Sequence, residues 1–299
     1  MIYNFGSINI DYVYETQQIV RPGQTISANT RKIFPGGKGL NQSIAMARAG
    51  ADVTHLGYYG KQDAVFLVEL LKEAGVQTYF LEGVDATNGH AFIQVDASGE
   101  NAIVVFGGTN RMVDEAYVKK VADKIQEGDW VIFQNEMSCT AEMMKEVHRR
   151  GGKIVLNPSP FDEDIQTFPL EKVSLFFVNS IEGKALTGEE SPETICKAFG
   201  EMYPQSAVVL TLGEKGALYC DGIQTIQQPA YKAKVVVDTT GAGDTFTGYF
   251  VAGIALGLSE EQALKRAAIA AALSVEKMGA ASSIPLLKAV EDREKITSK

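Results

Sequence analysis

Four stretches in the second half of the chain are apolar on nearly consecutive positions: WVIF at 130–133, KIVL at 153–156, LFFV at 175–178 and AVVLTL at 207–212. A strand with one wet face alternates apolar and polar residues. Unbroken apolar runs predict strands covered on both faces, as in a parallel sheet packed between helices. The segments between them carry helical periodicity. One of these, TAEMMKEVHRRGG, ends at Gly151, a typical C-terminal stop. This alternation predicts an α/β fold with a doubly wound, mostly parallel sheet flanked by helices.

Two segments break the rhythm. Residues 12–34 and 90–106 show period-2 alternation and turn signals but little helical period, and the second reads as a hairpin around Ser98-Gly99. The two pieces are expected to pair into a small, discontinuous β-sheet lid inserted within a single domain spanning 1–299. Toward the C-terminus, SEEQALKRAAIAAALSVEKMG predicts one helix, with a capping box between Ser259 and Gln262. Its face of Ala263, Leu264, Ala267, Ala268, Ala271, Ala272 and Val275 is made of small residues, and core packing by itself accounts for it.

Composition narrows the function classes. A net charge of −9 and no dense run of Lys and Arg argue against nucleic-acid binding. No apolar run reaches the roughly 18 residues of a membrane helix, and the N-terminus lacks a signal-peptide pattern. The three cysteines, Cys139, Cys196 and Cys220, are far apart in sequence, so unpaired thiols in a reducing cytoplasm are expected.

The strongest chemical signal is DTTGAGDTFTG at 238–248, running into the apolar stretch YFVAGIALG. Gly241 and Gly243 permit a tight turn whose N–H groups converge at a helix N-terminus, a ready anion site. Asp244 sits inside that site, where a carboxylate suits a base facing a reactive phosphate; a helix-capping aspartate is the plainer alternative. FPGGKGLNQ at 34–42 is a second glycine cluster opening a helix, with Asn41 and Gln42 at its start; Lys38 is followed by Gly39, so it is no Walker A loop. GSINID puts Asn9 and Asp11 on one face at the end of the first strand-like run, suited to binding hydroxyls, or else an Asx turn. VNSIEGKALTG offers Asn179 and Glu182 at a helix start, and TLGEKGALYC a Gly-x-x-Gly turn between strands.

Together these segments resemble the ribokinase-like carbohydrate kinases, also called the phosphofructokinase-B family. GGKGLNQSIAMARAGADVTHLGYYG is similar to its first signature and DTTGAGDTFTGYFV to its second; NPSP, N-x-x-E and T-x-G-x-x-G follow in the family's order over almost the full length. GSINID, GGKGLNQ and NPSP are closest to the ribokinase branch. The resemblance implies an ATP-dependent kinase of a primary sugar hydroxyl, with D-ribose as leading acceptor. Another sugar, a nucleoside, or a catalytically silent sugar-binding protein are the alternatives. It implies Asp244 as base, Gly241, Ala242 and Gly243 as the anion hole, and Asn9, Asp11, Gly37, Lys38, Asn41 and Glu136 around the sugar. Asn179 and Glu182 would lie by the triphosphate and Mg²⁺, with Thr211, Gly213 and Gly216 at the nucleotide. Asp238, Thr240, Ser274, Lys277, Gly279 and Ser283 match a K⁺ site, and a homodimer through the lids is expected. This sequence departs from the family at KQDAVF after Gly60 (with Phe66), at Leu40 and at Ala268.

Overall fold

The computed structural model describes residues 1–297. The chain runs β1 (Ile2–Phe5), β2 (Asn9–Glu15), β3 (Thr30–Gly36), α1 (Lys38–Arg48), β4 (Val53–Gly60), α2 (Val65–Glu73), β5 (Gln77–Val84), β6 (His90–Val95) and β7 (Asn101–Phe106). It continues with α3 (Glu115–Ala122), β8 (Trp130–Gln134), α4 (Thr140–Arg149), β9 (Lys153–Asn157), β10 (Leu175–Asn179), α5 (Ser180–Thr187), α6 (Pro192–Met202), β11 (Ala207–Thr211), β12 (Ala217–Cys220) and β13 (Thr225–Gln228). The last elements are α7 (Ala242–Ala255), α8 (Glu260–Ser274), α9 (Ala280–Ser283) and α10 (Leu287–Thr297).

Nine strands form one sheet in the order β13-β12-β11-β10-β9-β8-β1-β4-β5, parallel except where β12 meets its two neighbours. The apolar runs are its middle. On β8, Val131 and Phe133 face the side covered by α3, α4 and α6, while Ile132 faces α1, α2, α7 and α8. Both faces are therefore dry, which is why those strands do not alternate.

The remaining four strands form a second sheet, β3-β2-β6-β7, built from the two segments that broke the α/β rhythm. Its first strand begins at Asn9, earlier than the sequence indicates, so Asn9 and Asp11 belong to the small sheet and not to the end of β1. Only Gly6, Ser7 and Ile8 separate the two sheets there.

Two further expectations are corrected. The helix after Ser259 has its capping box but stops at Ser274, and residues 275–279 form a loop instead. Cys196 and Cys220 are disulfide-bonded, with Cα atoms 6.0 Å apart. Separation along the chain hid this, because α6 lies directly on β12.

Candidate active site

Helix α7 is buried from Asp244 to Gly253 and crosses α1 at close range. A Cβ on Gly248 would come within 2.4 Å of the Ala45 side chain, so only glycine allows this approach. One turn earlier on each helix stand Asp244 and the pair Asn41 and Gln42. Asn41 Nδ2 donates to Asp244 Oδ2 at 3.0 Å, and Gln42 Nε2 donates to Oδ1 at 2.9 Å. Asp244 is 8% exposed, so both oxygens are held by neutral donors in a nearly dry place. That arrangement aims the carboxylate.

The helix starts at Gly241, whose φ of 75° is left-handed and whose Cβ would strike Ala280 at 2.8 Å. Ahead of Gly243 there is open space. The first-turn N–H groups of α7 point there with the positive end of its dipole. Ala242 N–H already donates to Thr239 O at 3.2 Å, a local partner within the turn.

On the other side of Asp244 lie the remaining polar residues. Glu136 Oε2 accepts from the Ser7 hydroxyl and from the Lys38 N–H at 3.2 Å, and Oε1 lies 3.5 Å from Asn9 Nδ2. Gly36 leaves room for Asp11, since a Cβ there would meet its carboxylate at 2.2 Å and displace it. Burial, and then the charge of Glu136, push the Asp11 carboxyl up to about 6. Burial also raises Glu136, against the opposing hydrogen bond from Ser7 and the charge of Lys38. Burial pulls the Lys38 ammonium down, yet Asp244, Glu136 and Glu182 outweigh it and hold the group above its ordinary value. Lys38 thus lies between Glu136 on one side and Asp244 and Glu182 on the other. Asn41 Oδ1 is buried with no protein partner, an acceptor awaiting a donor.

Two cavities meet at Gly243. The smaller, about 150 Å³, is lined by Lys38, Asn179, Glu182, Gly241, Gly243 and Asp244. The larger, about 760 Å³, runs from Asn179, Thr211 and Gly243 past Gly213 and Gly216 to Ala268, Ala271, Ala272 and Val275. The far end of the small-residue face of α8 therefore walls a cavity as well as packing on the core, since Ala268 and Ala271 do both, while Ala263, Leu264 and Ala267 are core alone. Asn179 and Glu182 do form the capping box of α5, and they also line the smaller cavity.

The loop before α7 is tied to the one after α8. Asp238 accepts from Thr240 N–H at 2.9 Å and from Gly279 N–H at 2.8 Å, while the N–H groups of Val237 and Asp238 donate to Val275 O. Burial raises the Asp238 carboxyl, but these donors outweigh it and hold it below the ordinary range. Ser274, Lys277 and Ser283 lie on the same stretch, with both hydroxyls donating to carbonyls of their own helices.

Residues 1–287 match the pfkB family of carbohydrate kinases. The chain belongs to that family. It is 35% identical over 301 residues to the ribokinase of Staphylococcus aureus strain COL, covering 95% of this chain and 96% of that one. It is 34% identical to the bifunctional ribokinase/ribose-5-phosphate isomerase A of Fructilactobacillus sanfranciscensis, of which it spans 54%. The structure of Arabidopsis thaliana ribokinase complexed with ribose and ATP superposes with a TM-score of 0.85 at 30% identity, with 97% of each chain covered.

Within this kinase, some residues at the site carry little signal in the sequence. Gln134 ends an apolar strand and touches Gln42; Asn157 opens NPSP and accepts from Gln42 Nε2 at 3.2 Å; Asn110 Nδ2 donates to Asn9 Oδ1 at 2.7 Å. A polar residue closing an apolar run, as in WVIFQ, was the available clue. Of the departures from the family, Leu40 is fully buried in the core, Ala268 walls the larger cavity, and Phe66 sits partly exposed on α2.

Proposed function

We propose that this kinase transfers the γ-phosphoryl group of ATP to a primary hydroxyl of a small sugar, D-ribose foremost, giving ribose 5-phosphate. The observation that carries the reading is Asp244, held by two amides where the phosphate-sized and nucleotide-sized cavities meet. Asn9, Asp11, Gly37, Asn41 and Glu136 hold the sugar hydroxyls. Asp244 takes the proton of the attacking hydroxyl as its oxygen bonds phosphorus and the bond to the ADP oxygen breaks. Lys38 and the N–H groups at Gly241 and Gly243 hold the charge that spreads over the phosphoryl oxygens. Positioning and electrostatics of this kind carry most of phosphoryl-transfer catalysis.

Thr211, Gly213 and Gly216 contact the nucleotide. Glu182 would face the triphosphate with Asn179, and both line the smaller cavity, Glu182 supplying one carboxylate. Such a donor set fits Mg²⁺, which takes one or two carboxylates and fills its shell with phosphate oxygens and water. The ion would neutralise charge on the β- and γ-phosphates. K⁺ would be held by Asp238 with Thr240, Ser274, Lys277, Gly279 and Ser283, largely through carbonyls, and would stiffen the loop that carries the anion hole.

The four-stranded sheet acts as a lid on one domain spanning 1–299, and a homodimer forms through the lids. Support comes from apolar side chains left in solvent on that sheet, with Phe92, Val104 and Phe106 at 45%, 69% and 52% exposure. No described helix is long and apolar enough to cross a membrane. We assign the reaction to the cytoplasm, where ATP is available; Cys196 and Cys220 are both buried.

The test is a panel of ribose, other pentoses and hexoses, and nucleosides, assayed for ADP release with ATP and Mg²⁺. The expected result is a kcat/KM for ribose at least about tenfold above every other acceptor. A nucleoside or hexose ahead of ribose overturns the assignment of the acceptor.

A further inference from the structure

Asp244 ends a buried run of polar side chains that crosses the core to His55. Gln42, Gln134, Asn4, Ser43 and His55 are all at 0% exposure. Neutral amides in such surroundings are costly unless paired, and apolar residues would fill the same space without that cost. These are paired in one consistent direction. Gln42 Nε2 gives its two protons to Asp244 Oδ1 and Asn157 Oδ1, and Gln42 Oε1 accepts from Gln134 Nε2 at 2.8 Å. The second proton of Gln134 Nε2 goes to Asn4 Oδ1 at 3.0 Å, and Asn4 Nδ2 donates to Gly39 O and to Ser43 Oγ, both at 2.8 Å.

The far end of the run sets this direction. His55 Nε2 lies 3.0 Å from Gly6 O, which only accepts, so Nε2 carries the proton and Nδ1 accepts from the Ser43 hydroxyl at 2.8 Å. Burial lowers the imidazole pKa to about 4, which keeps it neutral in this role. Ser43 Oγ therefore accepts from Asn4, whose amide is doubly fixed because Gly39 O also accepts only. Were Asn4 to flip, Gln134 would have to turn its oxygen to it, and Gln42 would then turn its own oxygen onto Asp244. Gln134 gives away both protons and leaves its own Oε1 without a protein partner.

We infer that Gln42 and Gln134 are positioning residues for phosphoryl transfer: the run orients the Gln42 amide so that an N–H, and never its carbonyl, meets Asp244. The inference rests on Asp244 being the base. Asn41 and Lys38 contribute independently and are left intact by the substitutions below.

Kinetics on the full-length protein test it, beginning with Asp244→Asn. Gln42→Leu should lower kcat about 10- to 100-fold, the worth of one hydrogen bond to a charged group, while KM for the sugar changes less than about threefold. Gln134→Glu has no contact with Asp244, yet its carboxylate would draw the Gln42 N–H groups away and turn the carbonyl onto the base. An equal or larger loss of kcat is expected, and less than about threefold further loss when the change is made in Gln42→Leu. A merely space-filling role would instead lower melting temperature and raise KM together, with effects that multiply. Should the buried carboxylate prevent folding, Gln134→Met reads the same coupling, with a loss of at least about threefold that vanishes in Gln42→Leu. Activity in Asp244→Asn removes the base assignment and the relay with it. An inactive Asp244→Asn beside near-wild-type kcat in Gln42→Leu and Gln134→Glu, or multiplying losses, removes the relay alone.

Discussion

Sugar affinity should fall on acidification through the protonation of Asp11. Its carboxyl is pushed from an ordinary 3.8 to about 6 by burial and then by Glu136. Only the ionised form accepts hydroxyl protons on both oxygens, so the apparent dissociation constant of the sugar scales as one plus the ratio of protonated to ionised Asp11. That factor is about 1.1 at pH 7, about 2 at pH 6 and about 11 at pH 5. The free protein obeys the opposite sign. Because the folded carboxyl titrates above the unfolded one, the native chain binds more protons between the two values. The resulting stability is complete below about pH 4 and is lost as pH rises through about 6, a change of at most about 3 kcal/mol. Unliganded protein should therefore melt higher at pH 5 than at pH 7.5, while sugar binds more weakly. Asp11→Asn should flatten both trends and raise the melting temperature at pH 7.5. Titration calorimetry at pH 6, in buffers of differing ionisation enthalpy, should show about half a proton released per sugar bound. A dissociation constant that changes less than about threefold between pH 7.5 and 5, or a wild-type pH dependence in Asp11→Asn, refutes the reasoning.

Four further outcomes are expected. Asp244→Asn should lower kcat by about 10²- to 10⁴-fold with sugar binding largely retained, and a variant keeping more than about a tenth of wild-type kcat refutes the base assignment. Activity should rise with K⁺ and much less with Na⁺ at matched ionic strength, because Asp238 ties the anion-hole loop to residues 275–279; equal rates in the two salts count against the cation. Light scattering at micromolar concentration should give a dimer, and amide exchange in residues 12–34 and 90–106 should slow on adding sugar. A monomer removes the dimer, and unchanged exchange removes the lid.

Local pattern made the sheet legible: residues such as Val131, Ile132 and Phe133 are apolar in succession because each finds a dry partner on its own side. The glycine turn before Asp244 was equally plain, since a left-handed Gly241 and a helix start leave a local signature. What depends on long-range crossing was not. Gln134 meets Gln42 across 92 positions, and Asn110 meets Asn9 across 101. Cys196 meets Cys220 because a helix folds back on a strand. Such contacts have no spacing to read. Asn179 and Glu182 show the converse: the capping pattern is real, and the same geometry lines the cavity, so spacing alone could not separate the two roles.

The small sheet reaches the body through only two excursions, one between β1 and α1 and the other between β5 and α3. Each leaves the nine-stranded sheet and returns without altering the register of any strand in it, because β1 pairs with β4 and β8 regardless of what is looped out. Asp244, its two amide partners and the larger cavity all belong to the body, whereas Asn9 and Asp11 ride on the excursion. Under the proposed assignment, the share of acceptor choice carried by Asn9 and Asp11, and assembly through the lids, would be separable from the transfer chemistry. Lengthening, shortening or exchanging the two hairpins would retune what the enzyme phosphorylates while sparing the machinery that performs the transfer.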